Sequence, residues 1–275
     1  MNNKMLIVVR GGGDLATGIV HRLYKAGYQT VILETDSPSS IRRQVCFSEA
    51  VYDGISEVEG VKAVRIDSID DIHEVLSEGN VPVLVDGDGK SIAELKPDVV
   101  VDAIIAKKNI GTTIDMANLV VGVGPGFVAG NDVHVVIETM RGHNLGRVIL
   151  NGSAAPNTGI PGNIAGYTLE RVIHSECAGV FRNVSRIGAV VNKGQEIARI
   201  YDESEQSYTS VTATISGVLR GLLRDKMVVP CGFKVADIDP RIEELDNCFT
   251  ISDKARSIGG SVLEVISAYA NEKLY

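Results

Sequence analysis

Short apolar runs alternate with helix-spaced stripes along the first 150 or so residues. Met5–Val9 is apolar and closes on Gly11-Gly12-Gly13, after which Leu15, Ile19 and Leu23 recur at helical spacing up to Gly27. A glycine there suits the left-handed cap that ends a helix. Thr30–Leu33 is a second apolar run, and it finishes in Glu34. Further on, Ser68 and Asp71 have the spacing of a capping box for a helix striped by Ile69, Ile72 and Leu76 and stopped by Gly79. Val81–Val85 reads as a strand, Ser91 with Glu94 caps one helical turn before Pro97, and Val99–Ile105 and Leu119–Val123 read as buried strands. Strand and helix alternating in this way predict an α/β domain built on a mostly parallel sheet with right-handed crossovers.

Beyond Asn151–Asn163, which is rich in Gly, Pro, Ser and Asn, the pattern changes. Ile164, Leu169, Val172 and Ile173 predict a helix over Ile164–His174. Gly179–Ile200 then aligns with Gly217–Ile238 at an offset of 38, with nine identities in 22 positions: Gly179/Gly217, Val180/Val218, Arg182/Arg220, Arg186/Arg224, Val190/Val228, Val191/Val229, Gly194/Gly232, Ala198/Ala236 and Ile200/Ile238. Neither half could bury its apolar face alone, so the repeat predicts a small pseudo-twofold β domain. The motif G-V-[FL]-R, a turn, then V-V-x-x-G resembles the barrel-sandwich hybrid of biotinyl and lipoyl carriers and is similar to the C-terminal domain of aspartoacylase-like deacylases. A carrier would place its modified lysine in the joining stretch Tyr201–Ser216, which holds no lysine; a swinging-arm carrier is therefore rejected in favour of a structural or docking module. A last helix is expected over about Gly260–Glu272, with Val262, Ile266 and Tyr269 on one face. The expected order is a Rossmann-like ligand-binding domain over 1–158, a connecting loop and helix over 159–176, a barrel-sandwich hybrid over 177–240 and a helical segment over 241–275.

Composition narrows the function classes. The 275 residues suffice for a real core, and 44% hydrophobic with 23% charged residues is ordinary globular usage. A net charge of −8, with no basic run longer than Arg42-Arg43 or Lys107-Lys108, argues against a nucleic-acid groove. The apolar runs are far short of a membrane span, and Met1–Arg10 carries no signal-peptide pattern, so a cytoplasmic protein is expected. The four cysteines form no CxxC pair and have no histidine at ligand spacing; neither a disulfide framework nor a metal site is expected, and Cys46 reads as a buried inert thiol.

The chemistry concentrates in four loops. Gly11, Gly13 and Ala16 match G-x-G-x-x-A, and Glu34 follows at ribose-binding distance in sequence. Gly11 would make the tight turn, Gly13 would admit a phosphate to the helix N-terminus, and Glu34 would accept from a ribose hydroxyl. Asp14 places a negative charge beside that site, and a purely structural turn is the alternative. Strand C-terminal ends bring Asp102, Lys107, Lys108, Asn109, Gly124 and Gly126 to the same crevice. Lys107, Lys108 and Asn109, with Thr112 and Thr113, suit a polyanion or else begin a helix in water; Gly122–Phe127 is an anion nest or a sharp corner. Arg42 and Arg43 would meet a 2′-phosphate, although solvated surface charge is preferred. His134 and Glu138, on one face of a strand Val133–Thr139, with His143 after it, form an acid–base or metal set or, preferably, a structural hydrogen-bond network. No nucleophile elbow, Walker A loop or HExxH is present.

Several longer strings carry a family resemblance: Arg10–Asp14, Ile41–Arg43, Glu49–Gly54, Asp102–Asn109, Gly124–Gly130, Glu138–His143, Leu145-Gly146 and Ile251–Ala255. Over essentially its whole length the chain resembles the YqeB-type accessory proteins of the selenium-dependent molybdenum hydroxylase system. More distantly, its N-terminal half is similar to the Rossmann-like half of XdhC-type chaperones. The resemblance implies a role in maturing a molybdenum hydroxylase and supplies no catalytic residue. The expectation is an accessory protein that binds a phosphate-bearing small molecule, NAD(P) or another nucleotide or molybdopterin ligand, with the hydroxylase as a partner; whether it catalyses a reaction or self-associates is left open. An NAD(P)-dependent oxidoreductase and a non-catalytic interaction scaffold are the alternatives.

Overall fold

The computed structural model describes residues 5–202, 204 and 206–273. The ends of the expected outer domains (1–4 and 274–275), and Glu203 and Glu205 between the repeat halves, lie outside the described residues. The chain divides into two compact units. The first comprises residues 1–38, 46–158 and 251–275, and the second comprises 39–45 and 159–250.

The first unit runs β1 (Leu6–Arg10), α1 (Asp14–Lys25), β2 (Gln29–Glu34), α2 (Ala50–Asp53), β3 (Ile55–Val58), β4 (Val61–Ile66), α3 (Ile72–Ser77), β5 (Val81–Val85), α4 (Ile92–Leu95), β6 (Val99–Asp102), β7 (Leu119–Val123), β8 (Val135–Ile137) and β9 (Val148–Ile149), with α5 (Asp253–Ala270) returning from the C-terminus. Among the described residues these strands form one sheet in the order β3-β4-β5-β2-β1-β6-β7-β8-β9. It is parallel from β4 to β8, and the outer pairs β3–β4 and β8–β9 are antiparallel. Val99–Val101 and Leu119–Val123 are buried throughout, as strands covered on both faces must be. The strand order reverses at β1, which pairs with β2 on one side and β6 on the other.

Several expected punctuation marks are present. Gly27 follows α1 at φ 85°, and Ser68 and Asp71 form the reciprocal capping box, whose first turn leads into α3. Ser91 instead gives its hydroxyl to Asp86 at 2.6 Å and does not cap α4. The β3–β4 hairpin, which the hydrophobic pattern did not single out, turns on Glu59 and Gly60, both at positive φ, as its two-residue loop requires. The last helix starts at Asp253, where the Ser252 hydroxyl accepts from the Ala255 amide at 3.2 Å, and it packs along α1.

The second unit contains β10 (Val172–His174), β11 (Gly179–Asn183), β12 (Val190–Val191), β13 (Glu196–Tyr201), β14 (Tyr208–Thr212), β15 (Gly217–Leu222), β16 (Val228–Val229) and β17 (Lys234–Asp239). They make two antiparallel sheets, β10-β17-β15-β12 and β14-β13-β11-β16, which share one core around Phe181, Ile197, Leu219, Leu222, Val235 and Ile238. The helix expected over Ile164–His174 does not form. The chain there makes one turn at Leu169–Arg171 and then β10, because Val172 and Ile173 are spent on pairing with β17. The repeat appears in the backbone itself. A Cβ on Gly179 would fall 2.1 Å from the Tyr201 carbonyl, and one on Gly217 would fall 2.2 Å from that of Asp239, each pair 38 residues from its counterpart. Buried Arg171 and Asp237 and half-buried Arg220 form a charge cluster, with Arg171 3.2 Å and Arg220 3.7 Å from opposite carboxylate oxygens.

Candidate functional site

The glycine turn after β1 is satisfied from within. Gly11 adopts φ 96°, and a Cβ there would lie 3.0 Å from the Ala103 carbonyl. The Gly12 amide donates to Glu34 Oε2 at 2.7 Å, while the Gly12 carbonyl accepts from the Ser48 amide at 2.9 Å and the Thr17 hydroxyl at 3.1 Å. The Thr35 amide takes Glu34 Oε1 at 2.8 Å. Glu34 therefore turns back into its own loop, and the Gly12 amide is not offered to a ligand. Gly13 is the N-cap of α1, its carbonyl accepting from Thr17 at 2.8 Å.

Burial pushes the Glu34 carboxyl above its usual range, and the amides of Thr35 and Gly12 only partly offset this. A raised pKa means that the group's stabilising contribution is complete below the ordinary carboxylate pKa and is lost as pH climbs through the folded value. Urea midpoints of the wild type and Glu34→Gln, compared between about pH 4 and about pH 8, are expected to shift in favour of the variant with rising pH. A constant difference would show that Glu34 carries no buried charge.

At the switch between β1 and β6, the paired residues Arg10 and Asp102 are buried together. Arg10 Nη1 lies 3.5 Å from Asp102 Oδ2 and donates to the Thr112 hydroxyl, which in turn donates to Asp102 Oδ2 at 2.5 Å. Arg10 Nη2 reaches the Gly87 carbonyl at 3.2 Å. Asp102 is thus a strut and not an exposed ligand contact, and Thr112 is a member of the strut and not a helix cap. Asn109 closes the same loop by donating to the Thr112 carbonyl at 2.7 Å. Lys107 and Lys108 stand exposed between these anchors, and Ile105 and Lys107 are held at φ 60° and 64°. That conformation costs a β-branched residue such as Ile105 on the order of 1–3 kcal/mol.

The remaining loops link in sequence around the same sheet edge. Gly126 approaches Lys108 so closely that a Cβ would fall 2.6 Å from its Cα, and a Cβ on Gly124 would meet the Thr139 hydroxyl at 2.9 Å. Next to Thr139, Glu138 accepts from the Met140 and Ala155 amides, both at 2.7 Å. The loops after β1, β6, β7 and β8 therefore touch one another in strand order, whereas the sequence pattern pointed to the loops after β1, β2, β6 and β7. Lys254, in the first turn of α5, joins them: Asp14, Glu138, Arg141 and Asp253 are within its electrostatic reach. Sequence reasoning passed over Lys254 even though it lies inside Ile251–Ala255, because a lone lysine at a helix start gives no pattern.

His134, Glu138 and His143 are not brought together as a set. The strand is shorter than expected, so His134 precedes β8 and Glu138 follows it at the opposite sheet edge. The Val120 amide donates to His134 Nδ1 at 3.0 Å, which puts the proton of the neutral ring on Nε2, and burial holds this imidazole below its usual pKa against the opposing pull of Asp115. It lines an open groove of about 740 Å³ with Lys96, Asp115 and Asn118. His143 is exposed. Among the described residues no group of three or more His, Cys, Asp or Glu side chains is placed to hold a metal ion, and no helix is long and apolar enough to cross a membrane. Arg42 and Arg43 are not solvated charges awaiting a phosphate. Within the second unit Arg42 donates to the carbonyls of Asn247 and Thr250, and Arg43 to that of Leu222. Cys46 is fully buried.

No family model matches the chain. Over 266 residues, 96% of its length, it is 48% identical to the uncharacterized protein YqeB of Escherichia coli K12, and it spans 48% of that relative, about half. This identity supports a YqeB-family protein. Among solved structures, the apo ectoine utilization protein EutE (DoeB) from Ruegeria pomeroyi is 12% identical, with 86% of each chain covered and a TM-score of 0.29. An aspartoacylase family protein from Mesorhizobium loti is 10% identical, with 81% of this chain and 60% of that one covered and a TM-score of 0.27. Likenesses at that level carry no argument about this chain.

Proposed function

From the premise that the chain is a YqeB-family protein, we propose that it binds a phosphate-bearing small molecule at the C-terminal edge of its parallel sheet. The observation that carries this reading is the loop Ile104–Asn109, whose backbone is held in a costly shape at Ile105 and Lys107, with the Lys107 and Lys108 side chains exposed and the Lys108 backbone packed on Gly126. Strain maintained in an anchored loop supports a binding element, and two adjacent exposed lysines suit phosphate oxygens. The anion is received by these side chains and not by the Gly12 amide, which Glu34 already holds. An NAD(P)-dependent oxidoreductase has less support, because the same two backbone bonds occupy Glu34, its ribose acceptor. In the wider reading, the protein acts in the cytoplasm as a maturation factor for a selenium-dependent molybdenum hydroxylase, holding a nucleotide or molybdenum cofactor, while the second unit, a barrel-sandwich hybrid, docks the partner enzyme.

Calorimetric titration of the full chain with NAD(P), CDP, CTP and isolated molybdenum cofactor tests the binding. At least one is expected to bind with a micromolar Kd, weakened about tenfold or more when Lys107 and Lys108 are both changed to Ala. Absence of heat with every compound would overturn the reading.

A further inference from the structure

Two helices begin at the edge just described. A Cβ on Gly18 would meet Ala255, and one on Gly259 would meet both Gly18 and Arg22. The pairing advances along both helices together, so α1 and α5 run in the same sense and open their N-termini side by side. Each N-terminus brings partial positive charge to the edge. Lys254 sits there, half-buried. The charged groups facing it are Asp14 on α1, Glu138 and Arg141 after β8, and Asp253 on its own helix. Both Glu138 oxygens hold backbone amides, and Arg141 grips Asp253 through two bonds of 2.8 and 3.0 Å. Among the described residues the Lys254 ammonium has no hydrogen bond and no ion pair within 4.0 Å. A cation drawn out of water without a close counter-ion is a cost that a bound anion would relieve.

We propose that Lys254 is a further cation, beyond Lys107 and Lys108, that receives the phosphate or pyrophosphate group of the ligand, an inference that rests on the binding reading above and adds a contact to it. Burial first, and then Arg141, hold this ammonium below lysine's ordinary range, with Asp14, Glu138 and Asp253 pulling the other way. An arriving anion restores the charged form, so binding at alkaline pH takes up a proton at Lys254, and affinity falls as pH rises.

Titration of the full chain with pyrophosphate between about pH 7 and about pH 9.5 tests this, with circular dichroism confirming that each variant is folded. Wild-type affinity is expected to fall across the interval. Lys254→Met is expected to bind about tenfold or more weakly at neutral pH, and Lys254→Arg to keep the affinity while losing the pH dependence. If both variants bind pyrophosphate with the wild-type profile, the assignment of Lys254 is overturned and the binding reading stands. If the wild type does not bind pyrophosphate, the assignment falls as well; the nucleotide titrations then decide the binding reading separately.

Discussion

Asp102→Ala is expected to cost about 3–5 kcal/mol, because it strands the Arg10 guanidinium without its carboxylate in the sheet interior. Arg10 is 1% exposed and Asp102 2%, so water cannot take over the lost partner. Thr112 would lose the acceptor of its hydroxyl in the same step. The measurement is urea unfolding followed by far-UV circular dichroism, where the loss appears as a lower midpoint. A second variant separates cost from design. Arg10→Met combined with Asp102→Leu removes both charges, and it is expected to recover more than half of the loss, since replacing a buried pair by apolar groups is far cheaper than breaking it. A single-variant loss below about 1 kcal/mol would mean that the cluster is hydrated and contributes little.

Gly18→Val is expected to cost about 3 kcal/mol, although a side chain in a helix interior normally improves on glycine. The sign reverses because a Cβ at residue 18 would fall 2.7 Å from the Ala255 Cβ and 2.8 Å from its carbonyl oxygen, and backbone cannot swing aside as a flexible side chain can. Helix α5 would have to lift from α1. Gly260→Ala, in the same helix but with open space around its Cβ, is expected to stabilise by about 0.5–1 kcal/mol. Thermal unfolding of the two variants side by side provides the check. A Gly18→Val protein as stable as the wild type would show that the two helices are not in the close register described here.

The parts of the fold legible in the sequence are those written in local periodicity. Leu15, Ile19 and Leu23 marked α1, and the unbroken valine runs marked β6 and β7, because a central parallel strand leaves no polar face. The repeat was legible because Gly179 and Gly217 meet the same backbone obstruction and tolerate no other residue. What escaped was set by distant partners. Val172 and Ile173 fit a helical stripe, yet β17 offers them a ladder. The α5 stripe named its apolar face but not its partner, which the small residues at 18, 255 and 259 decide. At the site, strand ends pointed to the loops after β6 and β7, whereas the loop after β8 and the direction in which Glu34 points did not follow from them. Its carboxylate serves an outside ribose or the inside Gly12 amide with equal fit to the motif spacing, and only the three-dimensional structure shows that it takes the Gly12 and Thr35 amides.

The return of α5 to α1 bears on how the polypeptide can be made and cut. The first unit is assembled from segments separated by residues 159–250, so its closing piece leaves the ribosome only after that insert has been made. Until then, the α1 surface around Gly18 waits uncovered, a natural client for a chaperone during synthesis. A recombinant fragment ending near residue 158 would inherit that bare surface permanently. A minimal first unit would instead have to carry residues 251–275 in cis, joined by a linker to the segment ending at 158.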